Sequence, residues 1–432
     1  MTLHNFVAAP FGNTLIAGTG PAAINMAVQA ANGWTDKLGL VNRPGAHTDR
    51  LINYFNQNEK IVKSRYLTET NADLGGEAKL DFFYGDYRLI DDIWETVIIC
   101  TPSDSYVEVL NQLFSRKLTR LNKIIFLSPG IGSNILIGRH FKEELKEIEL
   151  ISMSAYYGAT KYEEDGINVR TKALKKRIYL ASSNKKSGHI HSVSKFIESL
   201  RVEARIVSAP IEAESRNVTT YVHPPFFMNS FAMRQILTKN QSLKSMYKLY
   251  PEGPITQHSI RVMVKLWKEI SKVVEYFGAK PVNLLQFLND DNYPVHNETL
   301  SREDIEQFQT FSEVKQEYLL YIRYSAILID PFSRPDEYGR YFDFSAVPFK
   351  QAERDTRGRW AIPRIPLEDY RKLKGIYELG QAAGIEMPHA LALIETFVAE
   401  VNGFAEKTQA EYSNFDRKIE SRLFSGHGRR EL

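Results

Sequence analysis

Short apolar runs alternate with amphipathic segments over the first half of the chain. The runs lie at residues 13–17, 38–42, 95–100, 123–127, 150–154 and 177–180. Runs of this length predict buried strands, and the segments between several of them have the spacing of helices. This alternation favours an α/β fold with a doubly wound parallel sheet. Residues 44–92 are polar and are predicted to be mostly helical or irregular.

The pattern changes near residue 208, beyond which long helical periodicities replace the strand runs. Thr256 is positioned to cap a helix that ends at Gly278, residues 303–329 predict another, and residues 366–420 predict two or three more. We therefore expect an α/β domain over residues 1–208, a mostly α-helical domain over 209–425 and a disordered tail at 426–432.

A glycine-rich turn joins the first predicted strand to the first predicted helix. Its residues are Gly18, Thr19, Gly20, Pro21, Ala22 and Ala23. The first glycine suits a tight turn, the second allows a pyrophosphate to approach the backbone, and the small Ala23 lets helix and strand pack closely. The sequence therefore predicts a Rossmann-type dinucleotide site here, although the same residues also fit an ordinary strand–helix turn.

The second predicted strand ends in Arg43, with Arg50 further on. An NAD site usually has Asp or Glu at this position, whereas a guanidinium suits a 2′-phosphate. We therefore predict NADPH (NADP+) as the cofactor; the alternative is that Arg43 is an ordinary surface arginine. Thr101-Pro102 and Ser128-Pro129 end two further strands and are expected to line the cofactor cleft.

Composition excludes several other classes of protein. The net charge is only +3 and no Lys/Arg block stands out, so we expect neither nucleic acid nor a membrane surface as a partner. The single cysteine, Cys100, fits a reducing cytoplasm. No secretory signal is visible, and no apolar run reaches the ~20 residues of a membrane helix. We expect a cytoplasmic protein.

The most unusual stretch of the second half is residues 214–225, which includes Asn217, His223 and the pair Pro224-Pro225. We expect the proline pair to end a helix and leave His223 at its end. A histidine beside such a break is suited to proton exchange near neutral pH. A structural histidine bonded to a nearby carbonyl is an equal alternative.

Long motifs of the chain resemble the opine dehydrogenases, and in particular the opine-metallophore branch of staphylopine, pseudopaline and bacillopaline synthases. The matching segments are residues 217–229, 250–256, 283–287, 292–295, 317–332 and 341–350. The resemblance extends from Gly18 to about Met387. It implies reductive condensation of an α-keto acid with the amine of an aminobutyrate-extended histidine, using NADPH.

The resemblance also implies roles for residues of the second domain. His223 would be the general acid/base, and Asn217 would position the nicotinamide or the substrate. Arg323 and Asp330 would clamp a carboxylate and orient the histidine, although the spacing to Asp330 is longer here than in the family. For Arg323, a helix-surface ion pair is an open alternative.

One departure from the family bears on the keto acid. The staphylopine-type pattern has Asp where this chain has Ala159, within a segment that also contains Tyr157. A carboxylate would repel the second carboxylate of a dicarboxylic keto acid, and Ala159 removes that repulsion. We therefore predict α-ketoglutarate in preference to pyruvate.

Two other functions fit the same architecture. One is an NADP dehydrogenase of a 2-keto acid or sugar phosphate, and the other is a nucleotide-sensing protein without catalysis. In the leading hypothesis the enzyme needs no bound metal, because hydride chemistry belongs to the cofactor. A homodimer is expected, since helical second domains of such enzymes often pair.

Overall fold

The computed structural model describes residues 9–238, 244–327, 343 and 345–416. The chain divides into two compact units, Met1–Arg216 and Asn217–Leu432. The bounds predicted from the sequence, 1–208 and 209–425, stay a prediction, and the tail 426–432 lies outside the described residues. None of the helices in the described part combines the length and apolar character needed to cross a membrane.

The first unit consists of two sheets and the helices that connect and cover them. Its strands are β1 (Thr14–Ala17), β2 (Leu38–Val41), β3 (Ile61–Tyr66), β4 (Gly76–Lys79), β5 (Phe82–Tyr84), β6 (Thr96–Ile99), β7 (Lys123–Phe126), β8 (Glu149–Met153), β9 (Gly158–Tyr162), β10 (Val169–Leu174), β11 (Arg177–Ser182) and β12 (Glu203–Ile206). Its helices are α1 (Pro21–Ala30), α2 (Ala46–Gln57), α3 (Tyr106–Phe114), α4 (Ser133–His140), α5 (His189–Ser199) and α6 (Pro210–Glu214).

The larger sheet has the strand order β12-β11-β8-β7-β6-β1-β2-β5. Strands β5, β2, β1, β6, β7 and β8 are parallel. Alternate strand residues enter two cores on opposite faces: Ile16 and Ile98 in one, Leu15 and Val97 in the other. Burial on both faces explains the continuous apolar runs of these strands. The predicted Rossmann-type α/β fold is confirmed.

The larger sheet is not parallel throughout, because β11 runs antiparallel to β8 and β12 pairs parallel with β11. Residues 44–92 are mostly helical or irregular, as predicted, but the prediction missed three short strands. Besides α2, this stretch forms β3, β4 and β5, and β3 and β4 join β9 and β10 in a second sheet of order β4-β3-β10-β9. The strands of this small sheet expose alternate polar side chains, so their sequences lack a continuous apolar run.

The second unit is mostly helical, as predicted. Its helices are α7 (Val218–Phe227), α8 (Ser230–Leu237), α9 (Gln257–Tyr276), α10 (Leu284–Asp290), α11 (Arg302–Glu306), α12 (Glu313–Ala326), α13 (Arg364–Ala382) and α14 (Pro388–Thr408), and a hairpin is formed by β13 (Glu353–Arg354) and β14 (Trp360–Ala361). Thr256 caps α9 through a capping box with Ser259. The helix predicted over 303–329 is interrupted between α11 and α12, and α7 packs against α9 and α13.

Candidate active site

The glycine-rich turn after β1 leaves its backbone open to a ligand. Gly18 has a φ of +110°, and a Cβ there would lie 3.3 Å from the Thr101 methyl group. A Cβ on Gly20 would meet nothing within 4 Å. Gly20 begins α1 with Pro21 as its first residue, and no described side chain caps this helix. The backbone N–H groups at the start of α1 are therefore suited to an anion.

The other predicted cofactor segments lie at the same edge of the sheet. The last residues of β1, β6 and β7 are in register with one another. Gly18 follows β1, Thr101-Pro102 lies just beyond β6, and Ser128-Pro129 lies just beyond β7. Ala23 is fully buried where α1 packs on the sheet. In parallel α/β sheets, ligands bind outside this carboxyl edge.

Arg43 follows β2 at the border of a cleft. The cleft has a volume of about 460 Å³ and is lined by residues 42–48. Thr48 Oγ1 donates to the Arg43 carbonyl oxygen (2.6 Å) and accepts from Asn42 Nδ2 (2.8 Å). These bonds fix the backbone, while the side chains of Arg43 and Arg50 are exposed.

The donors of the first unit fit a phosphorylated dinucleotide. The open backbone at Gly20 and the uncapped start of α1 suit a pyrophosphate. The exposed guanidinium of Arg43, beside the cleft, suits a 2′-phosphate. These residues would hold NADPH.

The second unit contains a buried histidine–aspartate pair. His223 lies on α7 and Asp369 on α13, and His223 Nδ1 is 3.0 Å from Asp369 Oδ1. Their side chains are 12% and 6% exposed, so solvent screens the pair weakly. Asp369 Oδ2 is buried without a partner among the described residues. An aspartate in this position sets the tautomer of the ring and leaves Nε2 for proton exchange.

Tyr247 lies on the other side of the imidazole. Its hydroxyl is 3.5 Å from His223 Nε2, and its ring packs edge-on against Phe227. Burial raises the pKa of Tyr247, and the negative charge of Asp369 raises it further. Tyr247 therefore stays a neutral phenol that can donate to or accept from the imidazole.

The prediction that the proline pair ends the helix was wrong. Helix α7 continues through Pro224 and Pro225 to Phe227, so His223 lies in its interior. The prolines leave two carbonyl groups of the preceding turn without their usual donors. The helix nevertheless continues, because it is packed between α9 and α13.

Asn217 lies at the start of α7 rather than inside a helix. Its Oδ1 accepts from the backbone N–H of Thr219 (3.2 Å) and from the Thr219 hydroxyl (2.8 Å). The residue is 5% exposed. Asn217 is therefore the N-cap of the helix that contains His223.

Arg323 is buried on α12 and is bound to backbone carbonyls. Its Nη2 donates to Leu288 O (2.7 Å) and Tyr293 O (2.9 Å), while its Nε has no partner among the described residues. Burial lowers the pKa of Arg323, and the neighbouring Tyr324 opposes that shift. A surface ion pair does not describe this residue. Asp330, its predicted companion, lies outside the described residues.

Comparison with known proteins identifies the family. The family model described as staphylopine dehydrogenase matches residues 12–420. The chain belongs to the staphylopine dehydrogenase family. It is 40% identical over 401 residues to pseudopaline synthase of Pseudomonas aeruginosa, covering 91% of each chain. It is 36% identical over 416 residues to staphylopine synthase of Staphylococcus aureus, covering 95% of each.

The fold agrees with this assignment. A solved structure of yersinopine dehydrogenase with NADP+ bound matches with a TM-score of 0.86 at 30% identity, covering 96% of this chain and 98% of that one. Membership of the staphylopine dehydrogenase family confirms the predicted enzyme class, an opine dehydrogenase. The predicted cofactor agrees with the NADP+ bound by this relative.

The two residues predicted to affect the choice of keto acid lie in the first unit. Ala159 is exposed on β9. Tyr157 is fully buried, packs against Phe196 and donates its hydroxyl to Asn25 Oδ1 (2.7 Å). Ala159 is thus accessible from solvent, whereas Tyr157 belongs to the core.

Sequence reasoning missed Asp369 and Tyr247. A signal for Asp369 was present, because it shares a buried helix face with Pro366, Tyr370 and Leu373. A carboxylate among apolar residues at this spacing needs a buried partner. Tyr247 had no such signal, since it lies outside the regular elements. The described residues contain no group of three or more His, Cys, Asp or Glu side chains arranged to hold a metal ion.

Proposed function

We propose that this enzyme condenses an α-keto acid, preferably α-ketoglutarate, with the amine of an aminobutyrate-extended histidine. The product is an opine able to chelate a metal. The observation that supports this most directly is the pair His223–Asp369, with Tyr247 at the other ring nitrogen, in a chain of the staphylopine dehydrogenase family.

The reaction needs a proton donor at one particular step. Attack of the amine on the keto carbon gives a carbinolamine, and its hydroxyl must take up a proton to leave as water. His223 Nε2 is the atom proposed to deliver that proton, because Nδ1 is engaged by Asp369. The Asp369 carboxylate stabilises the protonated imidazole, and the Tyr247 hydroxyl contacts its Nε2 atom. Loss of water then leaves a carbon–nitrogen double bond.

Bound NADPH supplies the hydride that reduces this double bond. The residues proposed to hold it are Arg43 and Arg50 for the 2′-phosphate, with the Gly18–Gly20 turn and the start of α1 for the pyrophosphate. We propose Thr101-Pro102 and Ser128-Pro129 as the walls at the carboxyl edge of β6 and β7. Asn217 would act on His223 through α7, whose start it caps. Arg323 would fix the backbone at Leu288 and Tyr293 rather than bind a substrate carboxylate itself.

The test is NADPH consumption by the purified enzyme with each keto acid, with and without the aminobutyrate–histidine amine. Consumption that requires both substrates is expected, with the higher kcat/KM for α-ketoglutarate. Consumption with a keto acid alone would identify a hydroxy-acid dehydrogenase instead. No consumption with any combination would favour a nucleotide-binding protein without this chemistry.

Ala159→Asp tests the keto-acid preference separately. A carboxylate at this exposed position is expected to repel the second carboxylate of α-ketoglutarate and lower its kcat/KM relative to pyruvate about tenfold, the effect of about 1.4 kcal/mol. Ala159→Asn has nearly the same size without the charge and serves as the control. Equal effects of both variants would assign the preference to another residue.

We also propose that the enzyme acts in the cytoplasm as a homodimer, with the domain bounds predicted above. The single cysteine of the chain is consistent with a reducing compartment. Light scattering at micromolar concentration tests the assembly, and a stable monomer would contradict it.

A further inference from the structure

A chain of hydrogen bonds joins Arg50 to the glycine-rich turn. Arg50 Nη2 is 3.0 Å from His47 Nδ1, and His47 Nε2 is 3.4 Å from the Tyr162 hydroxyl oxygen. The Tyr162 hydroxyl donates to Thr19 O at 2.7 Å. These residues lie on α2, on β9 of the second sheet and in the turn after β1. This series of hydrogen bonds therefore connects three separate segments of the first unit.

The directions of these bonds follow from the chemistry of the side chains. A guanidinium has only donors, so His47 Nδ1 must accept and carries no proton. The ring proton is then on Nε2, which donates to the Tyr162 oxygen. Tyr162 in turn gives its own proton to the Thr19 carbonyl. Burial and the charge of Arg50 lower the pKa of His47, although a hydrogen bond to the Thr19 backbone opposes this shift, and the lowered pKa favours the neutral ring that this pattern requires.

Thr19 and Arg50, at the two ends of this series of hydrogen bonds, lie in different parts of the nucleotide site. Thr19 is 3% exposed and stands between Gly18 and Gly20, where its carbonyl sets the orientation of the peptide leading to Gly20. Arg50 lies in the first half of α2, whose preceding residues line the cleft beside Arg43.

The β9–β10 hairpin of the second sheet contacts both Thr19 and Arg50. The His47 and Tyr162 rings pack with centroids 5.9 Å apart. In the turn between β9 and β10, a Cβ on Gly166 would lie 3.3 Å from Arg50 Nη2. Gly166 also has a φ of +67°, so both its conformation and the close guanidinium disfavour a larger residue.

We propose that His47 and Tyr162 are positioning residues that couple recognition of the cofactor's 2′-phosphate at Arg43 and Arg50 to the backbone of the Gly18–Gly20 turn, and so help to set a preference for NADPH over NADH. The proposal rests on the proposed function only for the identity of the cofactor. It does not depend on which amine or keto acid reacts.

The experiment measures dissociation constants of NADPH and NADH for the full chain by calorimetry, without substrates. Arg50→Gln is expected to weaken NADPH about tenfold and leave NADH unchanged, since only NADPH has the charged 2′-phosphate. Tyr162→Phe and His47→Phe keep an aromatic ring at each position but interrupt the series of hydrogen bonds. Each is expected to weaken NADPH binding about fivefold, the effect of one hydrogen bond. NADH should weaken by less, because it lacks the phosphate that Arg50 binds.

A double-mutant cycle separates coupling from two independent effects. In the Arg50→Gln background, Tyr162→Phe is expected to weaken NADPH by clearly less than it does in the wild type. Tyr54→Phe is the matched control. Tyr54 lies on the same helix, and its hydroxyl accepts from Asn168 Nδ2 (3.2 Å) near the same hairpin turn, outside the chain of bonds. This variant should bind both cofactors as the wild type does.

Three results would overturn the proposal: equal affinities of the wild type for the two cofactors, unchanged affinities in both Tyr162→Phe and His47→Phe, or additive effects in the cycle. Failure of the proposed function is distinct, since it would appear as tight, selective NADPH binding without amine-dependent turnover. Circular dichroism identifies a variant that has lost its fold, and the remaining ring variant then decides the outcome.

Discussion

At the scale of single residues, the pairing of His223 with Asp369 determines what the imidazole can do. The two residues are 146 positions apart in sequence, and their side chains meet at 3.0 Å. Because Asp369 is an acceptor when ionised, His223 Nδ1 must hold a proton, and only Nε2 remains to exchange one. Tyr247, a neutral phenol at 3.5 Å from Nε2, restrains the ring on its other side.

Asp369→Asn is expected to lower kcat about 10²- to 10⁴-fold, because an amide can donate to Nδ1 and favour the wrong tautomer. The dissociation constant of NADPH should not change. Steady-state kinetics and cofactor titration measure the two quantities. Glu378→Gln, on the same helix with a 47% exposed side chain, removes the same charge and should leave kcat unaltered. A similar kcat for Asp369→Asn and wild type would exclude a role for the pair in proton transfer.

At the scale of secondary-structure elements, two side chains cap helices that lie next to functional segments. Asn217 caps α7, which contains His223. Glu214, at the end of α6, accepts from the backbone N–H groups of Gly132 (2.8 Å) and Asn134 (3.0 Å) at the start of α4. It also accepts from the Ser152 hydroxyl (2.8 Å). Each cap fixes a backbone segment with a single buried side chain.

If Asn217 acts as the cap, Asn217→Asp should keep most of the stability and activity, since aspartate caps equally well. Asn217→Ala should lose about 1 kcal/mol of the free energy of unfolding. Urea unfolding and steady-state kinetics distinguish these outcomes. Full stability of Asn217→Asp combined with a large loss of kcat would instead indicate direct contact with nicotinamide or substrate.

The carboxyl of Glu214 is fully buried, and burial raises its pKa to about 7 from 4.5, although the hydrogen bonds it accepts lower it. Folding therefore favours the protonated form. The stability that this preference contributes is fully present below the unfolded pKa and is lost as pH rises through the folded pKa. Relative to Glu214→Gln, the wild type should lose about 3 kcal/mol between pH 4.5 and 7.

Urea unfolding of both proteins across this pH range measures the difference. Glu198→Gln, an exposed position on α5, is the control and should follow the wild type at every pH. A difference between wild type and Glu214→Gln that does not vary with pH would mean that Glu214 is ionised throughout the range. The cap would then be a conventional carboxylate.

At the scale of the whole molecule, the first unit has the features of a nucleotide site and the second has the histidine–aspartate pair. The parallel order of β2, β1, β6 and β7 brings the glycine-rich turn, Thr101-Pro102 and Ser128-Pro129 to one edge. The second sheet adds Tyr162 and Gly166 beside Arg50 and the turn. The cofactor segments of the first unit are thus contiguous in space although they are dispersed in sequence.

Addition of NADP+ at a hundredfold excess over its dissociation constant should stabilise the unit that binds it by about 2.7 kcal/mol. Hydrogen exchange followed by mass spectrometry is expected to show slowed exchange in peptides covering residues 14–30, 38–57 and 96–105. NADH at the same concentration should protect residues 38–57 less, because it has no 2′-phosphate. Protection confined to the second unit would contradict the assignment of the site.

The local patterns predicted much of this architecture. Strands buried on both faces have continuous apolar sequences, so the sequence alone predicted β1, β2, β6, β7 and β8. The Thr256 cap and the amphipathic period of α9 were evident as well. The small sheet was missed, because its strands alternate polar and apolar residues over short lengths. The proline pair misled the prediction for α7, because packing against neighbouring helices overrides a local preference.

The sequence by itself determined the fold class, the position of the nucleotide turn and the candidacy of His223, because each depends on residues close together in the chain. Its long motifs also identified the enzyme family. Only the tertiary structure decided that Asp369 contacts His223, that Arg323 binds carbonyl groups, and that Arg50 is linked to Thr19 through His47 and Tyr162. These pairings depend on packing between distant segments, and no local pattern specifies which buried polar groups will meet.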